Sequence, residues 1–285
     1  MKIAIASGKG GTGKTFVSTN LFAVAEKEAL NVTLVDCDAE EPNVTEFIDG
    51  KTISTEIINQ HLPVIDKEAC VYCGKCRDWC NYNAIICLPE KKQIYLIEDL
   101  CHDCGACLAA CQYNAITEIE KRLGTVTVKE YSNKARIVEA RSDIGVYSPV
   151  SVIKAALDKV QDTDLILMDS PPGISCPFIA TVVPADFIVL VTEPTPFGLN
   201  DLKLSVETLE QLEKPFGVVV NRTGLGDERV YDWLEEKQIP LLMKIPFDKN
   251  IARIYSQSRL LVREDPSYAT RFLDLLNTIE GLCKK

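Results

Sequence analysis

The sequence predicts an α/β fold built on a doubly wound, mostly parallel sheet, and three observations predict it. Short runs rich in β-branched residues recur at 2–6, 32–36, 165–169, 187–191 and 216–221, most of them apolar on both faces, as strands covered by helices on both sides are. Stretches of helical length and period lie between them, at 14–29, 149–160, 199–212 and 227–237, so strand and helix alternate. A glycine-rich run joins the first strand to the first helix.

That run reads Gly8-Lys9-Gly10-Gly11-Thr12-Gly13-Lys14-Thr15, followed by Phe16. Its glycines let backbone N–H groups turn toward phosphate oxygens, and the helix N-terminus behind them adds its positive dipole end. In such a strand–loop–helix setting Lys14 lies along the β- and γ-phosphates and the Thr15 hydroxyl meets Mg2+. Carboxylates stand at the ends of two other apolar runs, Asp36 with Asp38 and Asp169, where open α/β sheets bind their ligands.

The alternation of strand and helix breaks between 61 and 120. Of the 12 cysteines, nine fall between Cys70 and Cys111. Cys70, Cys73, Gly74, Cys76, Cys80, Tyr82, Asn83, Ala84 and Ile85 recur 31 residues later as Cys101, Cys104, Gly105, Cys107, Cys111, Tyr113, Asn114, Ala115 and Ile116. Each run spells Cys-x2-Cys-x2-Cys-x3-Cys, the spacing of two-cluster bacterial ferredoxins, in which the fourth cysteine of each run ligates the other cluster. Cys70, Cys73, Cys76 and Cys111 are therefore assigned to one 4Fe-4S cluster, and Cys101, Cys104, Cys107 and Cys80 to a second. Zinc knuckles use paired cysteines and leave the third cysteine of each run unexplained. The proline that usually follows the fourth cysteine is replaced by Asn81 and Gln112. Cys87 lies outside the duplicated pattern and reads as a small buried residue.

The chain accordingly divides into a first part of a nucleotide-binding P-loop domain at 1–60, an inserted ferredoxin-like domain at 61–120 and the second part of the P-loop domain at 121–285. Segments 125–128 and 135–140 read as a hairpin returning to the main domain. The composition limits what this assembly does. With 285 residues, 46% of them hydrophobic, a large core is available. A net charge of −10 disfavours a basic face for nucleic acid. No apolar run approaches the roughly 20 residues that span a bilayer. These features predict a cytoplasmic protein with no nucleic-acid partner and no stable membrane insertion, whose thiols are kept reduced for metal ligation.

With Lys9 inside it, the glycine-rich loop resembles the deviant Walker A motif of the MinD/ParA/Mrp superfamily of P-loop ATPases, to which the nitrogenase iron protein is related. The resemblance implies bound ATP and Mg2+, and an ATP-dependent homodimer in which Lys9 reaches the partner's nucleotide. It makes Lys9, Lys14 and Asp38 catalytic, Asp38 by orienting or activating the attacking water. Asp36 then supports Mg2+ or loop geometry, and Asp169 holds Mg2+ with Thr15. Asn221-Arg222 resembles the adenine-reading position, Ile245-Pro246-Phe247-Asp248 the loop that closes over the base, and Thr192-Glu193-Pro194-Thr195-Pro196-Phe197-Gly198 a further family segment.

Two functions follow from joining these parts. In one, nucleotide-dependent dimerisation gates electron flow or docking of a redox partner; in the other, the chain resembles Mrp-type carriers and delivers iron–sulfur clusters to apo-proteins. Cys176, seven residues after Asp169, either holds a labile cluster or redox contact at a dimer seam or is a buried thiol. The histidines, His61 and His102, read as isolated and solvated. The stretch 268–282 places Phe272, Leu275, Leu276 and Ile279 on one helical face, which suits a helix packed on the core better than one lying on a membrane; its basic end is Lys284-Lys285.

Overall fold

The computed structural model describes residues 1–160 and 163–284. Two compact units divide the chain: residues 1–56, 125–142 and 149–285 in one, and 57–124 with 143–148 in the other.

The larger unit begins with β1 (Lys2–Ala6), α1 (Lys14–Lys27), β2 (Val32–Asp36) and the single turn α2 (Val44–Phe47). Strand β3 (Lys51–Ile65) leads into the smaller unit. There α3 (Lys75–Asp78), β4 (Ile85–Leu88), β5 (Gln93–Leu96) and α4 (Ala106–Ala110) follow, and β6 (Ile116–Ser132) leads out. The rest is β7 (Ala135–Ser142), α5 (Val150–Asp158), β8 (Leu165–Asp169), α6 (Cys176–Val182), β9 (Phe187–Thr192), α7 (Pro196–Gln211), β10 (Phe216–Thr223), α8 (Arg229–Glu236), β11 (Leu241–Pro246), α9 (Lys249–Ser256), α10 (Leu261–Glu264) and α11 (Pro266–Cys283).

The main sheet has the order β11-β10-β9-β1-β8-β2-β7-β6-β3, and its first seven strands pair in parallel. This is the doubly wound α/β architecture that the alternation predicts. Strands β2 and β9 are buried along their whole length, which is why they read as unbroken apolar runs. The register sets Asp36 beside Asp169 and Ile5 beside Asp169. Both carboxylates and the glycine loop therefore emerge at the same end of the sheet, on neighbouring strands.

Two expectations were shorter or later than the elements found, and one strand was not expected at all. The hairpin strand expected at 125–128 is part of the 17-residue β6. The 15-residue β3 is exposed over most of its length, so no buried face marks it in the sequence. Helix α7 starts at Pro196, three residues before the expected start, because Thr195 caps it by accepting from the Gly198 N–H at 3.0 Å.

Helix α11 packs inward: Phe272, Leu275, Leu276 and Ile279 are buried in the same core as Phe16 and Leu21 of α1. Lys285 lies outside the described residues. Among the described residues no helix is long and apolar enough to cross a membrane.

Candidate functional site

The loop between β1 and α1 keeps its shape because two glycines are sterically required. A Cβ on Gly8 would collide with the Asp201 carbonyl, and one on Gly13, whose φ is +102°, would collide with the Asn221 amide. Lys14 enters α1 buried, and desolvation lowers its pKa against the pull of Asp169, Asp38 and Asp36. The Thr15 hydroxyl donates to Asp169 Oδ2 at 2.6 Å. Asp169 Oδ1 and Thr12 Oγ1 are buried without a hydrogen-bond partner among the described residues. An orphaned carboxylate oxygen beside a threonine hydroxyl is a donor set suited to a hydrated Mg2+.

Asp36 and Asp38 differ in place and in partners. Asp36 is fully buried and accepts from the Val44 N–H at 2.9 Å and the Asp38 N–H at 3.2 Å, so its carboxylate shapes the loop that follows β2. Burial, then the nearby Asp169 charge, pushes its pKa well up. Asp38 is only partly buried and lines the open cavity above the loop. Desolvation raises its pKa to about 6, opposed by Lys14.

Of the residues expected around nucleotide, Gly10, Gly11, Gly13, Lys14, Thr15, Phe16, Asp38, Asn221, Arg222, Pro246 and Asp248 line this cavity together. Gly8, Lys9 and Thr12 instead border a smaller void with Asp201 and Ser205. Lys9 is held within its own chain by Glu193, with Nζ at 3.5 Å from Oε2, and Glu193 also binds Arg222. Glu193 was readable only as part of a family-like segment; its signal is a carboxylate ending a fully apolar strand.

At the far end of the cavity the polar side chains already have partners. Asn221 Nδ2 donates to the Thr12 carbonyl at 2.8 Å, and its Oδ1 accepts from the Arg222 N–H at 2.8 Å. Asp248 caps α9 by accepting from the Asn250 N–H at 2.6 Å. Phe247, Ile251 and Tyr255 supply apolar wall. Sequence reasoning missed Tyr255, which carries no motif of its own.

In the smaller unit the eight patterned cysteines sort into two cavities. Cys70, Cys73, Cys76 and Cys111 line one, and Cys80, Cys101, Cys104 and Cys107 line the other. The duplication extends to the backbone. Tyr72 and Asp103, Gly74 and Gly105, and Asn83 and Asn114 all have positive φ at matching positions. Burial raises the thiol pKa of Cys76 to about 11 and also raises those of Cys101 and Cys107. Among the described residues no three of His, Cys, Asp or Glu converge closely enough to hold a single metal ion.

Cys87 is buried, as expected, with Cys76, Ile85, Ile94 and Ile116. Three other expectations change. Cys176 is exposed, at the start of α6, and is not a buried thiol. His61 is not isolated: its N–H donates to Asp103 Oδ2 at 2.9 Å, and its Nδ1 lies 3.2 Å from the same oxygen. The His102 ring stacks on Tyr82 with centroids 3.8 Å apart.

Known proteins resemble the whole chain. The cell division ATPase MinD of Pyrococcus furiosus superposes with a TM-score of 0.58 at 23% identity, over 99% of this chain and 98% of its own. The septum site-determining protein MinD of Pyrococcus horikoshii, solved with Mg-ADP, gives 0.58 at 22%, over 99% and 96%; these are likenesses of fold. An uncharacterised protein of Methanocaldococcus jannaschii is 32% identical over 264 residues, 92% of this chain and 90% of its own. An iron-sulfur cluster carrier protein of Pyrococcus horikoshii is 24% identical over 305 residues, 100% of this chain and 87% of its own. A family model, the CobQ/CobB/MinD/ParA nucleotide binding domain, matches residues 3–262. The chain therefore belongs to the CobQ/CobB/MinD/ParA nucleotide-binding family, with a P-loop site at the ends of β1, β2 and β8.

Proposed function

We propose that this MinD/ParA-type ATPase carries two 4Fe-4S clusters in a ferredoxin-like insert at 61–120, between ATPase segments 1–60 and 121–285, and that an ATP-driven homodimer cycle gates electron transfer to a redox partner. One observation carries the reading: the crossed sets of four cysteines expected of a two-cluster ferredoxin each border one cavity.

In the nucleotide site each side chain has a task. Lys14, desolvated and held at the loop, neutralises the β- and γ-phosphates of ATP. Thr15 and Asp169 hold Mg2+, which supplies further neutralisation of the leaving diphosphate, and Asp36 fixes the turn that carries Asp38. Asp38 accepts a hydrogen bond from the attacking water and so aligns it with the γ-phosphorus; with a pKa of about 6 it is mostly ionised at neutral pH. Lys9, released from Glu193, reaches the partner's phosphates. Lys9→Ala is expected to abolish ATP-dependent dimerisation while sparing nucleotide binding by the monomer; ATP-dependent dimers of the variant in light scattering would refute that assignment.

A second reading is cluster delivery to apo-iron–sulfur proteins. It is favoured by the relative named an iron-sulfur cluster carrier protein and by the exposure of Cys73 and Cys104, the matching second cysteines of the two runs.

The deciding experiment is anaerobic purification, iron and sulfide analysis, and incubation with an apo-ferredoxin with and without ATP. Gated transfer predicts about eight irons per chain, retained by the protein, with a reduction rate that responds to ATP. Loss of iron to the acceptor selects the carrier reading. Zinc, or no bound metal, in the anaerobic protein would sink both.

A further inference from the structure

Helix α2 is one turn long, too short to be stable by itself, yet it directly follows the Asp38–Asn43 stretch and fixes where that stretch ends. Val44 anchors its start, buried in the core and donating its N–H to Asp36 Oδ2, and two further side-chain contacts hold the rest of the turn. Thr45 Oγ1 donates to Oε2 of the buried Glu139 at 2.9 Å. Phe47 stacks on Tyr255 with ring centroids 4.8 Å apart and planes 26° from parallel. Tyr255 in turn meets Phe16 edge-on at 5.9 Å, and it lines the cavity that Asp38 lines from the other side of the loop sequence.

At the end of that cavity away from the phosphate loop, Asn221 and Asp248 already spend hydrogen-bonding capacity on the protein's own backbone. A base entering it is recognised mainly by packing on ring and aliphatic walls, which also suits a planar purine. We propose that Tyr255 is a positioning residue for Asp38: a purine nucleotide packed against it restrains its ring, and the Phe47 stack passes that restraint to α2 and the Asp38–Asn43 stretch. The site thereby registers the base as well as the phosphates, at a distance from the P-loop itself. The inference rests on the nucleotide reading of this cavity and names a coupling that reading does not contain.

Hydrogen–deuterium exchange with Mg-ADP as the probe tests it. In the wild-type protein, saturating Mg-ADP is expected to slow exchange of the amides at 38–48 about tenfold. In Tyr255→Ala and Phe47→Leu, Mg-ADP still binds but that slowing disappears, and the turnover number for ATP falls about 3- to 10-fold, more than KM changes. Tyr255→Phe, which keeps the ring, restores both. Persistent protection of 38–48 in Tyr255→Ala, or a Tyr255→Phe variant as defective as Tyr255→Ala, overturns the proposal. Mg-ADP binding to the wild type without slowed exchange overturns it alone, whereas no nucleotide binding at all removes the reading beneath it too.

Discussion

The nucleotide region and the cysteine region are organised by different means. Around the P-loop, polar groups are set by the protein's own bonds: Asp36 by two backbone N–H groups, Thr15 by Asp169, Asn221 by the loop carbonyl. These rest on a core that runs through α1, β1, β2, β9 and α11. In the cysteine region, a hydrophobic cluster of the described residues counts Cys76 and Cys87 among its five buried members, while Val71, Trp79, Tyr82 and Tyr113 stay exposed. A site built on strand ends exists before its ligand arrives, whereas on the proposed cluster-binding reading the cysteine module would gain stability from what its cysteines bind.

The largest expected effect breaks this contrast or upholds it. Cys76→Ser combined with Cys107→Ser removes one ligand from each set of four. We expect loss of nearly all bound iron and rapid amide exchange across residues 57–124, with affinity for a fluorescent ADP analogue changed less than about threefold. Retained slow exchange in 57–124 would show that the module does not depend on its metal. Next in size, Lys14→Ala should lower ATP turnover by about 10²–10³-fold and leave the iron content unchanged, checked by phosphate release and iron analysis on the same preparation.

How much of this was legible follows the same division. The strands at 32–36 and 165–169 stand where the sequence expects them, because burial on both faces leaves an uninterrupted apolar run. Strand β3 was missed because its residues face solvent along most of its length, and the true extent of β6 for the same reason. The glycine loop and the cysteine runs were legible because their chemistry fixes residue type at fixed spacing. Tyr255, Phe47 and Glu193 were not, since each acts through a partner distant in sequence: the Phe47–Tyr255 stack and the Glu193 pairs with Lys9 and Arg222. Asn221 was found but its bonding was not, because nothing in the sequence says that its amide hooks onto the Thr12 carbonyl.

A smaller effect concerns pH and sharpens the picture of the nucleotide region. Asp38 titrates at about 6, raised from 3.8 by burial, and in the proposed mechanism its ionised form is the one that aligns the attacking water. ATP turnover should therefore fall as pH drops through 6, approaching tenfold per unit below it, while Asp38→Asn should show a low rate without that inflection. Stability of the nucleotide-free protein runs the other way. Between 3.8 and about 6 the folded chain binds more protons at Asp38 than the unfolded chain, so this group's contribution to stability falls as pH rises across that window. Thermal midpoints at pH 4.5 and 6.5, compared between wild type and Asp38→Asn, would isolate this contribution.

The smallest effect separates capping from base recognition at Asp248. Its Oδ1 accepts from the Asn250 N–H at 2.6 Å and, more weakly, from the Ile251 N–H at 3.4 Å, which is the work of an N-cap. Removing it in Asp248→Ala should cost about 1 kcal/mol and loosen the first turn of α9, which carries Ile251 and leads to Tyr255. KM for ATP should then rise a few-fold, because the wall shifts. The ratio of ATP to GTP turnover should stay where it is, because a carboxylate occupied by two backbone N–H groups is not reading the edge of a base. A ratio that moves tenfold in Asp248→Ala would assign the carboxylate to the base after all, and the apolar wall would then be secondary in choosing the nucleotide.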